Sequence, residues 1–273
     1  MTGPARSAGV WSTLLLATTG YAVARAARAA HLTGRFPGGS ARWDRLNHAG
    51  DPITLTEGVA LAAGTGLPLV LADPPAVLAV TGAALAGAAD DLGESTQAKG
   101  LRGHLSALRA GRVTTGAVKV GAIGATGLLS AAWSDHRHGR GVGLHTMAAA
   151  GLVAGGANLA NLFDLRPGRA LKVGLVCGIP LVLAGRPAAA AAVGASLAVL
   201  PDDLAARSML GDTGANPLGA ATGIAAAQRL PDRGRWAALA VVTALTLMSE
   251  RVSFTRVIEA TPVLRSLDAW GRG

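Results

Sequence analysis

A chain of 273 residues that is half hydrophobic but only 3% aromatic, with a mean hydropathy of +0.39, is not an ordinary soluble domain. Its charges sit between long Ala, Gly, Leu and Val runs, the pattern of a multi-span membrane protein. The formal net charge of +9 then fits basic loops on one side of a membrane rather than a nucleic-acid partner, and none is expected. The single cysteine, Cys177, excludes an intramolecular disulfide and a cysteine-based zinc cluster.

The first apolar run, residues 9–24, could be a signal-peptide core. The many runs after it favour an uncleaved first span, with Arg25 and Arg28 snorkelling to an interface. Residues 31–51 are polar and basic, too polar to lie in lipid. A second span is expected over 53–72, turning at Asp73-Pro74-Pro75, and a third over 75–89, ending at Asp90-Asp91. The loop 90–112 carries Lys99, Arg102, Arg109 and Arg112 ahead of a fourth span, 113–133. The turn Ser134 to Arg140 precedes a fifth, 142–160. Two short apolar runs, 173–185 and 187–200, flank Arg186-Pro187 and read as one long span or a hairpin of two. Spans over 214–228 and 236–249 follow, then a polar tail, 251–273.

Parity decides the ambiguous pair. With nine spans, 18 of the lysines and arginines fall on the face holding 31–51, 90–112, 161–172, 201–213 and 250–273, against 7 on the other. The positive-inside bias makes the first face cytoplasmic. Fusing 173–200 would bury Arg186 mid-membrane and send Asp212 to the opposite face from Asp90. The expectation is a single all-α integral membrane domain, 1–273, of about nine transmembrane helices. Its N-terminus lies outside and its C-terminus inside, in the cytoplasmic membrane.

That topology gathers three acidic motifs on one surface: Asp90-Asp91, Asn161 with Asp164, and Gly211-Asp212-Thr213-Gly214. Adjacent carboxylates ending a span are costly unless compensated, and a hard cation such as Mg²⁺ is a usual compensation. Solvated acids at a helix end are the plainer alternative. Asn161 and Asp164 stand three apart, one face if the helix continues there. Asp212 lies between glycines, where backbone can turn sharply and approach a phosphate. Carboxylates from separate loops, with Lys99 and several arginines, suit a metal-bound diphosphate. No Walker A or Rossmann glycine pattern offers another phosphate cradle.

DDLG followed by KGLRGH, NLANLFD at a span end, and GDTGANPLG opening another span stand in order over roughly residues 40–225. In this order they resemble the motifs of the polyprenyl-phosphate N-acetylhexosamine-1-phosphate transferases. That family includes the phospho-N-acetylmuramoyl-pentapeptide and undecaprenyl-phosphate GlcNAc-1-phosphate transferases. The resemblance implies transfer of a phospho-sugar from a UDP-sugar to a polyprenyl phosphate at the cytoplasmic leaflet, releasing UMP, in cell-envelope glycan (peptidoglycan) synthesis. It implies that Asp212 ligates Mg²⁺, that Asp90 positions or deprotonates the lipid phosphate, and that Asp91 supports the metal or phosphate. Asn161 and Asp164 would help bind the nucleotide, and Lys99 would meet phosphate charge. The expected partners are polyprenyl phosphate, UDP-sugar and membrane lipid, with a homodimer left open.

Two departures stand out. Where the family reads Gly-x-Asp-Gly-Leu after Asp164, this chain has Leu165-Arg166-Pro167-Gly168-Arg169, so Pro167 replaces an acid. The late histidine cluster is absent, and Arg251, Arg256 and Arg265 stand in the tail, where Arg256 and Arg265 are the expected substitutes for diphosphate contacts. A binding-only relative is the alternative reading, and a secondary transporter ranks last because the acids are terminal rather than mid-span. His136 and His138 read as a solvated turn with a metal pair as the alternative, His48 and His104 as interfacial or near the site, Asp202-Asp203 as mostly structural, and Thr114 and Thr115 equally as phosphate contacts or helix-start residues.

Overall fold

The computed structural model describes residues 4–36, 39, 41–46, 50, 52–93, 111 and 114–272, without the side chains of 4–10. Lys99, with Arg102, Arg109, Arg112, His48 and His104, lies outside the described residues. Helix occupies most of each of the nine expected apolar segments. These are α1 (Pro4–Leu32), α2 (Thr56–Gly66) with the short α3 (Leu69–Ala72), α4 (Pro74–Leu92), α5 (Thr115–Arg137) and α6 (Leu144–Phe163). Beyond them come α7 (Arg169–Leu183), α8 (Pro187–Leu204), α9 (Gly211–Arg229) and α10 (Asp232–Ser249). Two tail helices, α11 (Phe254–Ala260) and α12 (Pro262–Ala269), complete the described chain. By length and composition α4, α5 and α6 could each cross a membrane, and α10 with α11, bent by 92°, could form a fourth span.

Local sequence explains the breaks. Pro68 interrupts the second apolar segment between α2 and α3. Asp73 caps α4 by accepting from the Ala76 N–H, and Thr114 caps α5 by accepting from the Ala117 N–H. The 173–200 stretch is two helices, joined through Gly185 at φ +75° and Arg186, with Pro187 opening α8. Sequence reasoning had no strand in 31–51. The structure places β1 (Asp44–Leu46) there, paired antiparallel with β2 (Pro52–Thr54) at the start of the expected second span, whose helix begins at Thr56, and Thr54 also bridges to Ser208.

Helix α9 is the axis of the bundle. It is buried along nearly its whole length and packs on α6, α4, α2 and α8. Small residues let these backbones touch. A methyl added at Gly219 would overlap the Gly156 carbonyl, and one at Gly87 would overlap the Asp212 carbonyl. The core is therefore mostly alanine, while large apolar side chains such as Leu71, Leu85, Leu144, Val176 and Leu183 point outward. Such an outer surface suits lipid better than water.

Two basic residues are buried in ion pairs. Arg28 does not snorkel: it is buried, paired with Asp202 at 3.0 Å and hydrogen-bonded to Thr56, in keeping with the structural reading of Asp202. Arg235, one of the seven basic residues counted on the outer face, is 2% exposed and grips Asp135 through two nitrogens at 2.8 and 3.0 Å. Thr146 donates to the same carboxylate at 2.9 Å, so α5, α6 and α10 are tied at the end opposite Asp90.

Candidate functional site

Asp90 and Asp91 occupy the last turn of α4. Consecutive helical residues point about 100° apart, so the two carboxylates serve different neighbours. Asp91 turns to the start of α9, where helix geometry leaves N–H groups without intrahelical partners. Its Oδ1 accepts from the Asp212 N–H at 3.1 Å. Its Oδ2 accepts from the Thr213 N–H at 2.8 Å and the Thr213 hydroxyl at 2.6 Å. Leu210, the N-cap residue, has no side-chain acceptor, so Asp91 caps α9 from another helix. Gly211 has φ +58°, and a methyl there would press against the Asp91 carboxylate, so glycine is needed twice over.

Asp90 turns the other way, toward Lys119 of α5, whose Nζ lies 3.1 Å from Asp90 Oδ2 and in close contact with Asp212 Oδ2. One ammonium thus holds two carboxylates from different helices. The Arg45 guanidinium, delivered by the β1–β2 hairpin, donates to the Asp91 backbone carbonyl at 2.5 Å.

Helix α6 ends between Asn161 and Asp164, so the two part company. Asn161 faces a cavity shared with Asp90 and Asp91. Asp164, the C-cap, is 7% exposed and sits against the Gly211 amide. Burial, then the neighbouring Asp203 carboxylate, pushes the Asp164 carboxyl well above its ordinary range, against the stabilising Gly211 N–H.

The cavity holds about 820 Å³ between α4, α5, α6, α9 and α10. Arg45, Asp90, Asp91, Lys119 and Asn161 line it near the helix ends that carry the acids. Val120, Ile123, Leu239 and Val242 line it further along those helices, so a charged mouth leads into an apolar slot. Asn216 of α9 also lines it.

The structure therefore unites Asp90, Asp91, Asp164 and Asp212 around the start of α9, with Asn161 on the adjoining wall. It does not bring Arg256 or Arg265 there. Both are exposed on the tail helices, and neither lines the cavity. The tail is held instead by Asp268, which takes a two-pronged bond from Arg169 at 2.7 and 2.9 Å and a contact from Arg272 at 2.9 Å. Phe254 stacks on Phe163 with ring centroids 5.0 Å apart, and Arg272 donates to the carbonyl of Pro167, the residue standing where the resemblance expects an acid.

Lys119 and Arg45 are the residues that sequence reasoning left unassigned. A lone lysine inside an otherwise apolar α5 was the available signal, because such a charge needs a partner. Arg45 offered none, being one of several arginines in a polar stretch. His136 is exposed and His138 binds the Ser134 carbonyl at 2.7 Å. Among the described residues no group of three or more His, Cys, Asp or Glu stands ready to hold a metal ion.

Compared with protein-family models and with curated proteins, the chain finds no match. The resemblance rests on its ordered motifs alone.

Proposed function

We propose that the protein transfers a phospho-sugar from a UDP-sugar to a polyprenyl phosphate at the cytoplasmic face of a membrane, releasing UMP. The observation that carries this reading is the charged mouth on an apolar slot. Asp90, Lys119 and Arg45 stand at the opening of a cavity whose walls turn to Val120, Ile123, Leu239 and Val242, and Lys119 ties Asp212 to that opening. A ligand with an anionic head and a hydrocarbon chain matches that sequence of surfaces.

In this reading an oxygen of the lipid phosphate forms a bond to the sugar-proximal phosphorus, and the bond from that phosphorus to UMP breaks. Lys119 and Arg45 meet the phosphate charge, Asp90 orients the attacking phosphate, and Asp91 holds the start of α9 so that Asp212 faces it. The donor set suits Mg²⁺: this ion commonly takes one or two protein carboxylates and completes its shell with phosphates and water. Asp90 and Asp212 already converge on a cation, so we assign them to it. Asp91, expected to share the metal, has both oxygens engaged by α9 and takes the positioning part. When bound, Mg²⁺ would neutralise phosphate oxygens and stabilise the leaving phosphate. The nine-span topology, with the acids inside, belongs to the same proposal, since UDP-sugars are made in the cytoplasm.

One observation favours binding without transfer: Pro167 stands where the resemblance expects an acid, and its carbonyl is taken by Arg272 of the tail. The deciding experiment incubates the purified protein with undecaprenyl phosphate, a panel of UDP-sugars and Mg²⁺, and measures UMP. Transfer predicts UMP release that falls by about 100-fold or more in Asp212→Asn. Ligand binding with no UMP from the wild type would replace the transferase by the binding-only protein.

A further inference from the structure

One buried polar group in the cavity wall is used by nothing described so far. Asn216 is 1% exposed, and its Nδ2 has no hydrogen-bond partner, although the residue lines the cavity. A buried donor without an acceptor is costly and rare in folded proteins. Its surroundings leave it little freedom to turn elsewhere. Helix α9 lies in backbone contact with α6 at Gly219 and Gly156, and with α2 at Gly214 and Gly58. Asn216 follows Asp212 by four residues, so it stands on the same face of α9 about 6 Å further from the helix start. The groups around it change character at that depth. Lys119 and Asp90 lie at the mouth, and Ile123, one helical turn beyond Lys119 on α5, belongs to the apolar wall.

We infer that Asn216 is a further binding residue of this cavity, donating its carboxamide N–H to an oxygen of a phosphate monoester at the point where the polar head gives way to hydrocarbon. The inference rests on the reading of the cavity as a lipid-phosphate site. That rise of about 6 Å along α9 is close to the separation of two donors that grip opposite oxygens of one phosphate group. Lys119 and Arg45 take the charged oxygens. Asn216, which carries no charge, meets an oxygen next to the chain without drawing water into the apolar slot. The carboxamide supplies both a donor and an acceptor, whereas leucine at this position would supply neither.

The test measures binding, with no turnover required. Farnesyl phosphate and UDP-GlcNAc are titrated separately into detergent-solubilised wild type, Asn216→Leu and Asn216→Asp, and thermal unfolding is recorded for each. Leucine keeps the branched four-atom shape and removes the unpartnered donor, and the cavity beside it can take its bulkier methyls, so its unfolding temperature should equal or exceed that of the wild type. Its Kd for farnesyl phosphate should rise about tenfold or more, with UDP-GlcNAc unchanged. Asn216→Asp should bind farnesyl phosphate more weakly still, since it sets an acid beside the anion. An unchanged Kd for farnesyl phosphate in Asn216→Leu overturns the inference. So does a marked fall in its unfolding temperature, which would make the amide a structural group. Wild type that binds UDP-GlcNAc but not farnesyl phosphate overturns this assignment while leaving the nucleotide half of the proposed function standing. Wild type that binds neither removes both.

Discussion

Replacing Asp91 with alanine removes the acceptor for three hydrogen bonds at once, from the Asp212 and Thr213 amides and the Thr213 hydroxyl. Loss of an ordinary N-cap side chain costs about 0.5–2 kcal/mol, and a hydrogen bond to a charged group contributes about 1.5–3 kcal/mol. The bonds do not add in full here. Asp91 is only half-buried, so water can reach part of the gap, and the Thr213 hydroxyl can rotate to another acceptor. We expect Asp91→Ala to lower stability by about 2–4 kcal/mol, and Asp91→Asn, which keeps one carbonyl oxygen, by roughly half of that. The comparison is Asp212→Asn, which weakens the contact with Lys119 but leaves α9 capped, and should cost about 1 kcal/mol or less. Denaturant unfolding in detergent micelles gives the stabilities. Hydrogen exchange over residues 211–216 reports whether the first turn of α9 has loosened. Asp91→Ala should accelerate exchange there and spare the middle of α6. Unchanged stability together with unchanged exchange at Asp212 and Thr213 would refute the capping role and return Asp91 to the set of metal ligands.

The remaining expectations address the frame around the site. Arg235→Ala leaves the Asp135 carboxylate buried without its main partner and should cost about 3–5 kcal/mol, whereas Asp135→Leu combined with Arg235→Met should recover most of that loss in the same unfolding assay. Burial alone would raise the Asp268 carboxyl, but the bonds and charges of Arg169 and Arg272 hold it below its usual range. Its contribution is therefore complete above the unfolded carboxylate pKa of about 3.9 and is lost as pH falls through the lower folded value. The stability difference between wild type and Asp268→Asn should be present at pH 7, begin to shrink below about pH 4 and vanish only below the lower folded value, and at pH 7 the variant should be cut faster by trypsin at Arg256 and Arg265. With Cys177→Ser as background, a cysteine at His136 should react with a membrane-impermeant thiol reagent in intact cells and one at Ser266 should not. The opposite pattern would invert the proposed orientation.

Helix positions could be read from the chain because they follow from short-range causes. Long apolar runs form helices wherever backbone groups have no water to bond, and Pro68, Pro74 and Pro187 mark the breaks. The gathering of Asp90-Asp91 with the Gly211–Gly214 stretch was expected from span parity. The group expected to answer the acids was Mg²⁺, whereas Asp91 takes the amides of α9 and Asp90 meets Lys119. The division of labour between the two acids was not legible. It depends on where the start of α9 lies relative to α4, and that is set by Gly87 packing on the Asp212 carbonyl. Lys119, Arg45 and Asn216 enter the site from three separate elements, and their meeting is decided by how α4, α5, α6 and α9 pack. Arg28 looked like an interfacial charge and Arg235 like one more basic residue of the outer face because their partners, Asp202 and Asp135, stand 174 and 100 residues away. The sequence by itself determined which segments are apolar and where they stop, because those are properties of neighbouring residues. Only the tertiary structure decided which charges neutralise one another, since a buried ion pair is chosen by distance in space and by the loss of competing water.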